Sequence, residues 1–505
     1  MSQNPSIVFS VGTSGLGQPA DGNDHLSGMI FYGSTLPSGF SSSNRIQKFF
    51  SLQQAEDLGI DGDYSDGTGA TGAGFTVTAI GAVGDTIAVS VAEVYGTVAL
   101  GTYTKVSGDT TVTLVATGIT NAINAGTTDH GYVAANTAGV LTITAPKRMG
   151  KFLNTTTVTT VITGTMTVGT STNWSSGAGS IFAVWHYHVS EFFRMNPQGV
   201  LWIGVYAYNA LFSEIKTVQD FAEGQIRQMM LYVNGTAFGT TDVTAQQTVC
   251  DTLYGESQPL VVVYNPDVTT IATVAALPNL NALDSECVSV NIGQDLTGMG
   301  NFLYQTVGGS IGSGGTELGA ISSALVSVNI AWTGQFNVAS GTEFDKLQFS
   351  NGVAYIGTPV SALNTLTTYK YNYLKKFDKA YPGSFFNLDL TSTASTSDFA
   401  RIRNNRTMQK ATRQIRIALL PYLNSPIEIN PDGTLTQDVI SQFKALCESA
   451  LDRMKSNGEI SQRQVSIDGT QDILSTNTLN IGIAIIPIGS AENIVVNIGF
   501  TTALA

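Results

Sequence analysis

Charge is scarce in this chain. Of its 505 residues, 12% are Asp, Glu, Lys or Arg, about half of the ~25% usual for globular domains. A surface with so few charges fits one that other protein will cover, which favours an assembly subunit over a free monomer. Histidine is scarcer still: with four in the whole sequence, an active site that works by proton transfer near neutral pH has little to draw on. The three cysteines, Cys250, Cys287 and Cys447, are widely spaced and odd in number, so neither a disulfide framework nor a zinc ribbon is indicated, and buried inert thiols are expected. No run of about 18 apolar residues occurs, and Met1-Ser2-Gln3-Asn4-Pro5 lacks the basic region and apolar core of a signal peptide. The chain is therefore expected to be made and folded in the cytoplasm. A net charge of −13 argues against a general nucleic-acid binder.

What is abundant is glycine, with 53 residues, together with Thr and Ser, on a chain long enough for two to four domains. The two ends carry strand patterns. In Leu479 to Ile485 the odd positions are large and apolar, and in Ile494 to Phe500 the even positions are; a Pro487/Gly489/Ser490 turn region separates them. This period-2 pattern predicts a terminal β-hairpin with inward-facing Ile481, Ile483, Ile485, Ile494, Val496, Ile498 and Phe500. An isolated two-stranded ribbon is marginally stable, so it needs a partner sheet, in its own domain or in a neighbouring copy. At the other end Ile7, Val8 and Phe9 form a short strand before a glycine-containing stretch. Extended termini of this kind suit strand addition between subunits.

Between the ends the fold class reads as α/β and α+β, multidomain. Residues 1–25 are an extended arm, and 26–74 a first part of the core. There, Ser42-Ser43-Asn44 ahead of Ile46 and Phe49 predicts one helix, and Ser51 starts a second. From 75 to 170 charged residues thin out and Thr, Val, Ala and Gly alternate in short runs, interrupted by one helical patch at Thr120 to Ala125. That pattern predicts an all-β sandwich inserted on a surface loop. Residues 175–385 alternate helices (Ile181 to Met195, Thr217 to Met229, Asp242 to Leu253, Ile271 to Leu277) with apolar strands, which implies a doubly wound sheet buried on both faces. Residues 386–505 form a C-terminal α+β unit with helices Asp398 to Leu420 and Thr436 to Lys455, a strand near Gln462 to Ile467, and the hairpin.

Motifs for small-molecule chemistry are weak. The loop Gly308-Gly309-Ser310-Ile311-Gly312-Ser313-Gly314-Gly315 has neither a Gly-Lys-Ser/Thr ending nor the GxGxxG spacing, so it reads as a flexible surface loop. Asp61-Gly62-Asp63-Tyr64-Ser65-Asp66-Gly67 starts like a calcium loop but has Asp66 at the turn glycine and Gly72 at the bidentate glutamate, and His186 and His188 point about 200° apart on a helix. No catalytic residues, cofactor or metal are assigned. One electrostatic feature stands out. Arg401, Arg403, Arg406, Lys410, Arg413 and Arg416 crowd one helix, and Arg406, Lys410 and Arg413 fall on a single stripe. That stripe is either a solvated face or a contact for an acidic surface. The next helix shows Lys444, Glu448, Asp452 and Lys455 outside an apolar face.

This C-terminal order of basic helix, Pro/Asn/Gly-rich break, second helix and final strands ending Asn497-Ile498-Gly499-Phe500-Thr501 resembles the sheath proteins of contractile tails, found in phages and related injection machines. The resemblance covers residues 1–70 and 175–505. It implies a non-enzymatic structural subunit that polymerises helically around an inner tail tube through exchanged terminal strands. On a trigger from the baseplate the sheath then contracts, driving the tube through a membrane. It implies as partners further copies of the chain, the tube protein, and baseplate and tail terminator proteins, with no direct nucleic-acid contact and no membrane insertion. It places the protein in a virion tail or extracellular contractile particle assembled in a bacterial cytoplasm. On this reading the Arg406, Lys410, Arg413 stripe is a candidate contact between subunits and the Lys444, Glu448, Asp452, Lys455 face a candidate tube contact. Two rivals predict features that the sequence lacks: a surface-layer or adhesin subunit calls for a secretion signal, and a nucleotide-binding enzyme for a glycine fingerprint.

Overall fold

A computed structural model describes residues 23–377 and 379–500. The expected arm strand Ile7, Val8, Phe9 lies outside the described residues. The core is a seven-stranded sheet. Its strands are β1 (Leu26–Tyr32), β2 (Ile46–Phe49), β3 (Val200–Tyr206), β4 (Gln228–Ala237), β5 (Val261–Asp267), β6 (Val288–Asn291) and β7 (Tyr371–Asn372), in the order β7-β6-β5-β4-β1-β3-β2. Every pairing is parallel except β3 with the edge strand β2. The strand nearest the start of the described chain, β1, thus sits between β3 and β4, with Phe31 opposite both Val205 and Tyr232.

Alternate residues of these strands feed two separate cores. Met29, Phe31, Leu201, Ile203, Met230 and Val263 face one side, and Ile30, Trp202, Leu231, Val262 and Val290 the other. Helix α2 (Ile181–Met195) and α5 (Gly314–Ser323) cover the first face. α3 (Glu214–Phe221) and α4 (Thr240–Gly255) cover the second. Burial on both faces explains why these strands are almost continuously apolar.

Three local expectations change and one holds. Ile46–Phe49 is the edge strand β2 and not a helix, because its antiparallel pairing to β3 supplies ladder bonds that outweigh a weak capping signal. The following helix, α1 (Leu52–Asp57), does begin at Ser51, whose side chain accepts a bond from the Gln54 amide. The expected Thr217 to Met229 helix ends at Phe221, and Gln228 and Met229 already belong to β4. Ile271 to Leu277 contains only a short 3-10 turn at Val274–Ala276.

The 75–170 stretch has its own core but is not all-β. It forms one sheet of Val133–Thr137, Val140–Thr144, Ala73–Ala79 and Thr167–Val168, and a second of Gly96–Thr104, Thr86–Glu93 and Thr159–Thr163. A thirteen-residue helix, Val112–Asn124, capped by Thr111, joins the same core through Val115, Ala116, Ile119 and Ile123. Its β-branched residues disguise it, since Val, Ile and Thr have higher strand than helix preference. The flanks of the segment are joined where Asp66 accepts bonds from the Ser180 hydroxyl and, at 2.9 Å, from the Ile181 amide at the start of α2, and the segment itself contacts the body through Tyr95, whose hydroxyl donates to the Gly298 carbonyl at 2.6 Å.

The glycine loop is buried from Ser310 onward and held by hydrogen bonds. The Ile311 and Gly312 amides donate to Gln294 Oε1 at 2.9 and 3.0 Å, and the Gly314 amide to Asn265 Oδ1 at 3.1 Å. Donors that could cradle a phosphate are thus committed to side chains of the protein. The glycines serve close approach instead. A Cβ on Gly315 would stand 2.2 Å from the His188 carbonyl oxygen, and one on Gly319 2.7 Å from that of Phe192, so α5 lies almost backbone to backbone on α2. His188 is sealed there, its ring 4.7 Å from Tyr232, and burial pushes its pKa down to about 3, leaving a neutral packing residue. His186 points elsewhere and bonds Glu56 at 2.9 Å.

Gly315→Ala is therefore expected to destabilise the protein by about 1–3 kcal/mol or more, the range for overpacking a tight core, because a backbone carbonyl cannot step aside as a side chain can. Ala445→Ser, on an exposed helix position, should stay within ~0.5 kcal/mol. Urea unfolding of the two variants checks the difference.

Candidate functional site: the C-terminal strands and the helix that holds them

The C-terminal part is built on helices α6 (Ile402–Leu419) and α7 (Gln437–Ser456) and strands β8 (Ile460–Ser466) and β9 (Gly482–Pro487), with a 3-10 turn at Leu420–Tyr422 and a single helical turn at Ile473–Thr476 between them. Thr436 starts α7 by accepting a bond from the Val439 amide, and Val439, Phe443, Cys447, Leu451 and Met454 line its inner face. β8 and β9 pair antiparallel, Val465 opposite Ile483 and Arg463 opposite Ile485. Ile483 and Ile485 turn inward onto a small core of Ala411, Leu451, Met454 and Ile460, and Leu479 and Ile481 onto one of Leu435, Val439 and Phe443. The outward Ile486 is 58% exposed.

The expected pairing of Leu479 to Ile485 with Ile494 to Phe500 is not what the structure shows. β9 takes the upstream β8 as its partner, and Ile494, Val496, Ile498 and Phe500 form no strand within the chain. Their side chains are 69% exposed or more. A single subunit has already filled the inner face of its ribbon, so it offers this second apolar run nothing to cover.

The basic stripe is also relocated. Arg406 and Lys410 are only 3% and 4% exposed, because α6 turns this face into the body of the protein. Lys410 Nζ lies 2.6 Å from Asp24 Oδ2 and 2.5 Å from Glu459 Oε1, and Arg413 Nη2 lies 3.0 Å from Asp24 Oδ1. Arg406 donates to the carbonyls of Ala324 and Asp24, and burial lowers its pKa to about 10. The stripe therefore faces acids of its own chain and not a solvent-facing partner. Of the second set, Lys444, Asp452 and Lys455 are exposed and Glu448 is half-buried. Asp452 pairs with Arg463 at 2.6 Å, and Lys455 donates to Gln462 at 3.0 Å.

Glu492 was not singled out by pattern, although it is the only charged side chain after Asp472. It lies between β9 and the exposed apolar run, and its carboxylate accepts bonds from Arg401 Nε, Arg401 Nη2 and Arg403 Nη2, each at 2.8 Å. Arg403 Nη1 in turn donates to Asp389 at 2.5 Å. Hydrogen bonding from Arg401, foremost, and from Arg403 holds the Glu492 carboxyl down at about 2, whereas burial pushes Asp389 up to about 6. Helix α6 thus holds residues near both ends of the described chain, Asp24 and Glu492. Among the described residues, no three His, Cys, Asp or Glu side chains come together to hold a metal, and no helix is long and apolar enough to cross a membrane.

The fold is that of a contractile sheath protein. Over 100% of both chains it matches the contracted helical sheath of the anti-feeding prophage, AFP, with a TM-score of 0.50 at 12% identity. Two further solved structures align over 63% of this chain and 80% of theirs. These are the six-fold symmetrised AFP baseplate, with a TM-score of 0.43 at 12% identity, and the contracted PVC sheath complex of an extracellular contractile injection system, with 0.41 at 13%. Residues 398–505 match the family model described as DUF2586, C-terminal domain. No curated protein matches the chain.

Lys410→Met should cost about 3–5 kcal/mol, since removing one partner strands buried charge, whereas Lys444→Glu, on the exposed face, should stay within ~0.5 kcal/mol. Guanidinium unfolding of both separates them. The Glu492 tether carries a pH signature. Its carboxyl is depressed in the folded state relative to the usual value of about 4.3, so its contribution is present above that value and is lost as pH falls through about 2. The difference in melting temperature between the parent and Glu492→Gln should be full at pH 6 and fade between roughly pH 4 and pH 2.

Proposed function

We propose that this chain is the structural subunit of a contractile tail sheath that polymerises helically around an inner tube and contracts to drive the tube through a target cell envelope. The observation that carries this reading is the sheath fold, matched along the whole chain. The exposed run Ile494–Phe500 supports it independently. It is alternating, apolar and uncovered in the single subunit, and the β8–β9 ribbon has two open edges within the described chain. A strand lent from one copy to the ribbon of the next satisfies both needs by β-augmentation. Because donor and acceptor surfaces differ, the contact is heterologous and generates a helix unless it closes into a ring.

Contraction then requires two packings of unchanged subunits, joined by links that survive the passage between them. Hydrogen-bonded strands on short tethers meet that requirement, and the buried body of the subunit has no need to refold. The outer face of α7, with Lys444 and Lys455, is the surface assigned to the tube. Baseplate and tail terminator proteins complete the partners, in a virion tail or extracellular contractile particle.

Electron microscopy of the purified protein tests the reading. Striated hollow tubes are expected, and deletion of Leu479–Ala505 should abolish them. Monomers at every concentration, or a flat lattice of the kind a surface-layer protein forms, would overturn it. Lys444→Glu with Lys455→Glu should leave tubes intact but weaken co-assembly with the inner tube, measured by co-sedimentation.

A further inference from the structure

The exposed apolar segment Ile494–Phe500 does not fold back on the ribbon of its own subunit. Its alternation matches that of β9, and the six residues between Pro487 and Ile494 are enough for a hairpin connection, although longer than the commonest loops. A strand that closed on its own subunit would block the edge meant for a neighbour.

The path of the chain accounts for this. Ile485 shares a core with Ala411 on α6. Glu492 is held at Arg401 and Arg403, two or more turns nearer the N-terminus of the same helix. At 1.5 Å per helical residue, Ala411 and Arg403 are about 12 Å apart along the axis. The chain leaving β9 therefore continues along α6 and does not reverse. The clasp is stiff for a surface feature. Arg401 binds Glu492 through two nitrogens, and Arg403 is shared between Glu492 and the fully buried Asp389. Bidentate arginine–carboxylate contacts of this kind fix direction as well as strength.

We propose that the Glu492–Arg401–Arg403 clasp is a positioning device that steers the terminal strand away from its own β9 edge and so keeps it available to a second copy of the chain. This inference rests on the strand-lending part of the proposed function. Glu492 is in this role a positioning residue, and the strand it directs makes the contact.

Three variants test it: Glu492→Gln, Arg401→Gln and deletion of Ile494–Ala505. Arg401→Gln removes two of the three clasp bonds while leaving the Arg403–Asp389 pair, which guards against loss of folding. The readouts are the concentration at which tubes form, by electron microscopy, and hydrogen exchange at residues 482–487 in subunits kept below that concentration. Either clasp variant is expected to raise the tube-forming concentration on the order of tenfold, as loss of charge-assisted bonds would. Exchange at the 482–487 amides should slow in the clasp variants as the segment folds back, and deleting Ile494–Ala505 from either of them should restore fast exchange. Glu492→Asp should lie between the parent and Glu492→Gln. Unchanged assembly in both clasp variants, or weakened assembly with unchanged exchange at 482–487, overturns the proposal. If the deletion also leaves tubes intact, it is the strand-lending reading that fails, and the two failures are thereby told apart.

Discussion

Burying charge is costly unless every charge finds a partner, and this constraint organises the protein around one helix. α6 carries Arg403, Arg406 and Lys410 into the interior, and each side chain is met by an acid or a carbonyl from a different part of the chain: Asp389 before the helix, Asp24 at the entry to β1, Glu459 at the entry to β8. Such pairs add little net stability compared with apolar packing, but losing one partner is severe. Their value lies in geometry. The β1 strand at the heart of the sheet, the ribbon of β8 and β9, and the tail beyond β9 are all registered against the same rod.

The α/β body shows a second constraint, that of close approach. A parallel sheet buried on both faces needs a helical layer on each side, and on one side α5 reaches α2 only because Gly315 and Gly319 lack side chains. The loop preceding α5 is held by Asn265 and Gln294 from the sheet side. A glycine-rich segment that would be mobile on a surface is here part of a rigid core. The rigidity of this body contrasts with the exposed apolar run Ile494–Phe500, which packs on nothing in the single subunit.

Much of this was legible in residue order. The alternation of helices and apolar strands from 181 to 292 announced a doubly wound sheet, because burial on both faces leaves a composition signal that needs no tertiary knowledge. Thr436 and the spacing of Val439, Phe443, Cys447 and Met454 marked α7 for the same reason. The run at Leu479 was legible as a strand by period, and the period identified which of its residues turn inward, whereas Ile494–Phe500 forms no strand within the chain.

Partnership was not legible. Period 2 shows that a strand has an apolar face and is silent about which strand lies beside it, so β9 with β8 could not be distinguished from β9 with Ile494–Phe500. A basic stripe shows that charges are aligned, but Asp24 lies 386 residues from Lys410, and only the fold brings them within 2.6 Å. The inserted helix Val112–Asn124 was masked because β-branched residues favour strands locally, and its burial between two sheets outweighed that preference. By itself, then, the sequence determined the main helices and strands of the α/β and C-terminal parts and the faces they must bury, since these follow from local periodicity. Which charges neutralise each other, and which apolar strand is left without cover, was decided only by the tertiary structure, because both depend on contacts between residues hundreds of positions apart.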